Sequence, residues 1–579
     1  MNFNMNKKYS INLDNILKHE DIDKYLEELN RDVEKLSKYL NENKKVEDKK
    51  INTDKTILEF LALQEEIEQK DNIFKTYYEL YNIKASINKS NKIDVKYIQR
   101  RNEIQERLST ICIEFFKMYY KEVKKYKNTK YSRYTSIIEY YISEIEELTL
   151  KDNIDMNECK QTELYKLNLM KKDFYQLKIL STENMDAQKV IIYTLKEYLT
   201  KYMINNIQND EKIKNEFNKL CINYKLSEKA FKDIFKEKDK YINKYKKEYI
   251  NYLNESTNTL DDEEYLNYIE FEEIIDKTFT IFKKLEDNQN TERNFKKYYL
   301  LKQKIINNIE EISKTELDKG IPCICYRGNI DISYLLLPRK NINKYYSIVT
   351  IAHELGHSFN NYYMYHNNRY NDRGVHMIVT ELIAITIELL MYKVLKTEYI
   401  LKKEYNSLKK LKTELKQTYI TYLFKYVDII KYERKIEEII DKTIPNRLNI
   451  EKYIDSDNEE VYQEFYNNLK EYYNDNEIIE YTNYTLEETY GLFKYIIALK
   501  YAIILSDKLY KELQCNNKIN NNTNTNTKDN NIYRFLELNK KNIFEITDIF
   551  NDMNNILGID IYKAENINKI YDILFTEII

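Results

Sequence analysis

Helix-breaking residues are nearly missing from this chain, which has six glycines and three prolines in 579 residues. Glycine and proline are the commonest punctuation of turns and loops, so their scarcity argues against a loop-rich design and predicts almost continuous helix. Tryptophan is absent, while Lys, Asn, Ile and Tyr abound, a bias that fits an AT-rich coding sequence better than a chemical need. The six cysteines (Cys112, Cys159, Cys221, Cys323, Cys325, Cys515) are mostly isolated and form no disulfide framework, which points to a reducing compartment. No apolar run is long enough to span a bilayer; the nearest, residues 377–395, is interrupted by Glu381 and Glu388. Residues 1–15 lack the apolar centre of a signal peptide. The net charge of −3, with both signs mixed, gives no basic field for nucleic acid. A cytoplasmic protein without nucleic-acid or membrane partners is the expectation. It should be mainly α and large enough for more than one lobe.

What is present begins with amphipathic helices. In residues 21–40, Ile22, Tyr25, Leu26, Leu29, Val33, Leu36 and Leu40 recur at spacings of three and four, the pattern of one buried helix face. Residues 57–87 and 97–123 continue in the same style, and helix is expected to run on to about residue 316. The tyrosine-rich pieces 131–141 and 241–252 read as half-buried helix faces. A division near residue 200 separates an N-terminal helical region (1–200) from the remainder (201–579), although no linker composition marks it. The texture changes at Lys319. Residues 321–326, the turn Arg327-Gly328-Asn329 and residues 330–337 form a predicted β-hairpin closed by Pro338. The alternation in Ile330-Asp331-Ile332-Ser333-Tyr334 suits an edge strand able to pair with an extended peptide. Cys323 and Cys325, one residue apart with no second pair, are read as packed residues. Residues 516–531 are a low-complexity Asn/Thr insert read as a surface loop, and helix returns from 533.

The chemistry concentrates at His353-Glu354-Leu355-Gly356-His357, inside an apolar run. Two imidazoles one helical turn apart lie on one helix face and can reach a single metal ion. The glutamate between them stands where it can take a proton from water. Such pairs also arise by chance, but the chain has only five histidines and four fall between 353 and 376. Burying two imidazoles and a carboxylate without partners would cost several kcal/mol, and a metal accounts for all three. Zinc needs a further ligand. Downstream, residues 375–396 form a second apolar helix broken by Glu381 and Glu388, carboxylates that need a cation or hydrogen-bond donors. The two turns between them are a rise of about 10 Å, so only one of the two can be a direct ligand, and position alone leaves the order open. His376, and less readily His366, are rival ligands.

At these residues the chain resembles the oligoendopeptidase F and thimet oligopeptidase family of zinc metallopeptidases. The match lies in His353-Glu354-Leu355-Gly356-His357-Ser358, in Glu381 on the following apolar helix, and in Glu388 two turns further along it. The resemblance implies that His353, His357 and Glu381 hold one zinc ion, that Glu354 is the catalytic base, and that Glu388 orients a ligand histidine. It also implies a helical, two-lobed shell around a deep channel that admits oligopeptides, with the catalytic domain spanning 201–579. Two departures stand out. Asn360 replaces a histidine usual in the family. In residues 490–502, the counterpart of a substrate-binding segment, Tyr490 stands at or beside an expected histidine and Ile497 replaces an aromatic hydroxyl. Tyr501, with Tyr490 as second choice, is the candidate oxyanion donor. The expected activity is that of a zinc endopeptidase on short peptides. A metallocarboxypeptidase, or a helical scaffold that keeps zinc without catalysis, are the rival readings.

Overall fold

The computed structural model describes residues 11–44, 53–88, 93–127, scattered positions in 129–145, 228–244, 271–286, most of 302–312, 324–327, 333–338, 346–366, 377–443, 466–485, 492–516, 531–540, 549–561 and 563–578. Helices α1 (Ile22–Lys44), α2 (Thr53–Asn88), α3 (Val95–Met118) and α4 (Tyr120–Tyr126) build the N-terminal part. The stripe read from the sequence is the buried one: Ile22, Leu26, Leu29, Val33, Leu36 and Leu40 all point inward from α1. They meet Phe60 and Phe74 of α2 and Leu108, Cys112, Phe115 and Phe116 of α3. Phe60 stacks on Phe115 with ring centroids 3.6 Å apart. Each such side chain contributes about 1.5–3 kcal/mol on burial. Asp94 starts α3 by accepting the Lys96 N–H, which satisfies one of the unpaired amides of a helix N-terminus. Tyr131, Tyr134 and Tyr141 are not half-buried but lie inside this core. The Tyr131 hydroxyl donates to Asp54 Oδ1 at 2.7 Å, so the ring can be buried without leaving its polar tip unpaired.

Next come α5 (Glu228–Lys244), α6 (Phe271–Glu286) and strands β1 (Ile309–Ile312), β2 (Ile324–Arg327) and β3 (Ser333–Pro338). The expected hairpin is present, with β2 antiparallel to β3 and Cys325 opposite Leu335. Two expectations change. Residues 309–312, read as helix, form a strand parallel to β3: the weak helical preference of Ile-Glu-Glu-Ile yields to tertiary pairing. The strand read as an edge is the middle one of the order β1-β3-β2. Its backbone is paired on both sides at Leu335 and Leu336, while Ser333 and Tyr334 pair with β2 alone and residues 330–332 of that reading lie outside the described residues.

The remaining elements are α7 (Tyr346–His366), α8 (Met377–Lys402), α9 (Tyr405–Ile420), a π turn (Thr421–Lys425), α10 (Tyr426–Thr443), α11 (Asp475–Thr485), α12 (Phe493–Asn516), α13 (Asn531–Lys540), α14 (Ile549–Leu557), α15 (Ala564–Ile573) and a second π turn (Leu574–Ile578). Helix α8 is buried along most of its length because it lies between α7 and α12. That position explains its apolar residues on nearly every side. Gly356 of α7 sets the approach: a Cβ there would stand 2.7 Å from the Ala384 Cα of α8. In a chain with few glycines, Lys403 takes the left-handed position (φ 62°) that ends α8. Its neighbour Glu404 donates its N–H to Tyr399 O at 2.8 Å, satisfying a terminal carbonyl.

Among the described residues two large hydrophobic cores result, one drawn from residues 17–145 and one from residues 234–575. They are linked where Ile11 and Leu80 pack on Tyr334 and where Glu310 accepts the Ile11 N–H at 2.8 Å and pairs with Lys84 at 3.1 Å. The division near residue 200, the hairpin tip and residues 517–530 of the insert lie outside the described residues. Among the described residues no helix is long and apolar enough to cross a membrane.

Candidate metal centre

The close crossing of α7 over α8 brings together side chains from two separate helices. His353 and His357 share one face of α7, their ring centroids 4.8 Å apart and their planes at 86°. Glu381 projects from α8 towards both, with Oε2 at 3.5 Å from His353 Nε2 and 3.8 Å from His357 Nε2. One ligand atom from each of the three residues lies within 4.8 Å of the others. Tetrahedral ligands about 2.1 Å from a zinc ion stand about 3.4 Å from each other, so a small closure would suffice. The Glu381 Oε2 atom is buried and makes no well-formed hydrogen bond, with His353 Nε2 3.5 Å away. A buried orphan oxygen is costly, and a cation would remove the cost. The charge balance agrees. The carboxylates of Glu354, Glu381 and Glu388 are all buried here, and the Lys494 Nζ stands 3.8 Å from Glu381 Oε1. Among the described residues, a group of three buried carboxylates is a setting that a divalent ion would stabilise.

Burial and mutual charge shift the titration of these groups. Burial and the neighbouring Glu381 and Glu388 charges push the Glu354 carboxyl up to about 7, against His353 and the Cys325 backbone N–H, which favour its charged form. Burial lowers His357 to about 4, helped by His353 and Lys494. For His353 burial also opposes the charge, but Glu381 and Glu388 outweigh it and hold the imidazole well above its ordinary value. Burial would raise Glu381, yet His353, His357 and Lys494 together bring it below the usual carboxylate range.

Supporting contacts come from three directions. Glu388, two turns along α8 from Glu381, places Oε2 3.0 Å from His353 Nδ1. Its other oxygen accepts from the Tyr419 hydroxyl at 2.7 Å. Strand β2 supplies the Cys325 N–H to the Glu354 carboxyl. Asn361 of α7 donates to Ser333 Oγ of β3 at 3.3 Å, fastening the motif helix to the sheet.

Of the residues singled out in the sequence, His353, Glu354, His357, Glu381 and Glu388 are brought into one cluster. Tyr501 is fully buried, and its hydroxyl donates to Asn554 Oδ1 at 2.5 Å, so that hydroxyl is engaged within the core. Tyr490, His376 and the side chain of His366 lie outside the described residues. Sequence reasoning missed Tyr419 and Lys494. The need of a buried Glu388 for donors was legible, but nothing in the sequence pointed to a tyrosine at the far end of the next helix. Lys494 stands inside the segment 490–502, where attention fell on the tyrosines.

No protein-family model matches the chain, and no curated protein matches it in sequence. Solved structures do match. A candidate oligoendopeptidase F from crystals grown by microfluidic seeding aligns over 95% of this chain and 96% of its own, at 9% identity and a TM-score of 0.51. A second candidate oligoendopeptidase F, from Bacillus anthracis str. Ames, covers 93% and 94% at 11% identity, with a TM-score of 0.48. PZ peptidase A with an inhibitor covers 99% and 98% at 10% identity, with a TM-score of 0.45. At such low identity a likeness establishes fold alone. Over nearly its whole length, this chain has the mainly helical fold of the first of these structures.

Proposed function

We propose that the chain is a zinc-dependent endopeptidase that hydrolyses short oligopeptides. The observation that carries this reading is the convergence of His353, His357 and Glu381 on one point, with the buried Glu354 carboxyl beside them. His353, His357 and Glu381 would hold the ion. When bound, zinc supplies Lewis acidity towards a peptide carbonyl and towards water. Glu354 takes a proton from the attacking water and passes it to the leaving amine. A carboxyl held near 7 by burial suits both halves of that task. Glu388 fixes the His353 ring through Nδ1. Tyr490 is the remaining candidate for an oxyanion donor, since the Tyr501 hydroxyl is taken up by Asn554. Residues 1–200 form the N-terminal lobe and 201–579 the catalytic domain, a division supported by the two separate cores. Between the lobes a deep channel admits oligopeptides and excludes folded proteins. The isolated cysteines suit a cytoplasmic setting.

A second reading, a metallocarboxypeptidase, is favoured by one feature: Lys494, a cation beside Glu381 that could hold a substrate's free carboxylate. One experiment separates the readings. Purified protein is assayed for metal and for cleavage of a quenched fluorescent peptide blocked at both ends, using wild type and Glu354→Gln. The endopeptidase reading expects one zinc per chain in both proteins and a rate at least about 100-fold lower in the variant. Equal cleavage by both would assign the activity elsewhere. Cleavage of peptides with a free C-terminus only would favour the carboxypeptidase. Bound zinc without any cleavage would leave a scaffold.

A further inference from the structure

Tyr419 is fully buried one residue before the end of α9, and the π turn Thr421–Lys425 follows immediately. Widened turns of this kind are rare within helices and recur at functional sites. The ring lies beside Tyr422 of that turn, centroids 6.4 Å apart. Its hydroxyl reaches Glu388 Oε1 at 2.7 Å, while Glu388 Oε2 lies 3.0 Å from His353 Nδ1. A carboxylate is planar, and its two oxygens face in different directions. Fixing one oxygen fixes the rotation of the group and therefore the aim of the other. Glu388 is itself buried in an otherwise apolar stretch of α8, where an aliphatic residue would pack at lower cost. The placement makes physical sense if the carboxylate is there to hold the histidine.

We propose that Tyr419 is a positioning residue of the metal centre, acting through Glu388 on His353. The inference rests on the zinc reading above and extends it by one layer of side chains. A carboxylate can only accept, so Nδ1 of His353 carries the ring proton. With the ion bound, Nε2 would be the nitrogen left bare to hold it, and it is Nε2 that faces Glu381. The hydroxyl contributes orientation and contacts no substrate. Outer partners of metal-bound histidines typically account for about 10–100-fold in metal affinity.

The test is zinc affinity, measured by competition with a chromogenic chelator on full-length protein. Tyr419→Phe should bind zinc about tenfold more weakly, and Glu388→Gln should weaken it by at least as much. If Tyr419 acts through Glu388, the double variant binds no more weakly than Glu388→Gln alone. Tyr131→Phe is the control, because it loses a tyrosine–carboxylate bond of the same 2.7 Å length in the other core; its zinc affinity should match wild type. Unchanged affinity in Tyr419→Phe, or losses that add in the double variant, would overturn the inference while leaving the zinc reading intact. Failure of the wild type to take up zinc would overturn both. Should Tyr419→Phe not fold, nitrogen NMR of the zinc-loaded wild type, selectively labelled at its five histidines, decides instead. A proton on Nδ1 of His353 is expected, and zinc bound through Nδ1 would refute the proposal.

Discussion

The two cores use the same amino acids to different ends. In the N-terminal core, helices present one apolar stripe inward, and charged groups at its margin meet opposite charges, as Asp71 meets Arg101 and Asp32 meets Lys35 and Lys70. Around α8 the arrangement is reversed. A helix apolar on nearly all sides carries two carboxylates into the interior, and buried oxygens of Glu354 and Glu381 have no hydrogen-bond partner. In the first core the described buried atoms left unpaired are amide ones, Gln64 Oε1 and Gln105 Nε2, and not carboxylate oxygens. The second forgoes stability at one place, and strained or unsatisfied groups of that kind collect where chemistry is done. Packing and chemistry are thus separable within one fold, and substitutions should separate them.

The largest effect is expected from Glu381→Ala. Removing one of three ligands should weaken zinc by on the order of a thousandfold, a single ligand's share of zinc affinities of about 10–16 kcal/mol. Chelator competition measures it. The metal-free variant should lose less stability than a truncated core leucine does, because the unpaired buried Oε2 goes together with the Oε1 that faces Lys494. A marked loss of metal-free stability would blur the contrast between the cores. Leu29→Ala is the reverse case. It should cost about 2–5 kcal/mol in denaturant unfolding, as a fully buried leucine does on truncation, while zinc affinity stays at the wild-type value. A change in zinc affinity would mean that the N-terminal core is coupled to the centre. Gly356→Ala should register in both measurements, by smaller amounts. Its Cβ would meet backbone at 2.7 Å, so α7 must move from α8 at a cost of about 1–3 kcal/mol, carrying the histidines away from Glu381. Stability lost without any loss of zinc affinity would show that the crossing can relax while the ligand set stays in place.

The legibility of the chain divides along the same line. The stripes of α1 to α3, the hairpin of β2 and β3 and the His353 and His357 pair were all readable, since each is a short-range pattern with a fixed period or spacing. The strand Ile309–Ile312 was not, because so short a stretch holds too little periodicity to compete with the helical sequence around it. Its partner β3 is also not its neighbour in sequence, since β2 comes between them. The placement of β3 between two strands was hidden for the same reason. Tyr419 and Lys494 look like ordinary residues of amphipathic helices until α8 is seen between them.

The sequence by itself determined the helical class, the faces that turn inward, and which side chains can bind a metal, because those follow from local spacing and from the cost of burying polar groups. Only the tertiary structure decided which carboxylate faces both histidines, which one stands behind His353, and which tyrosine and lysine complete the shell. Those choices depend on how closely Gly356 lets one helix approach another, a distance that no local pattern encodes.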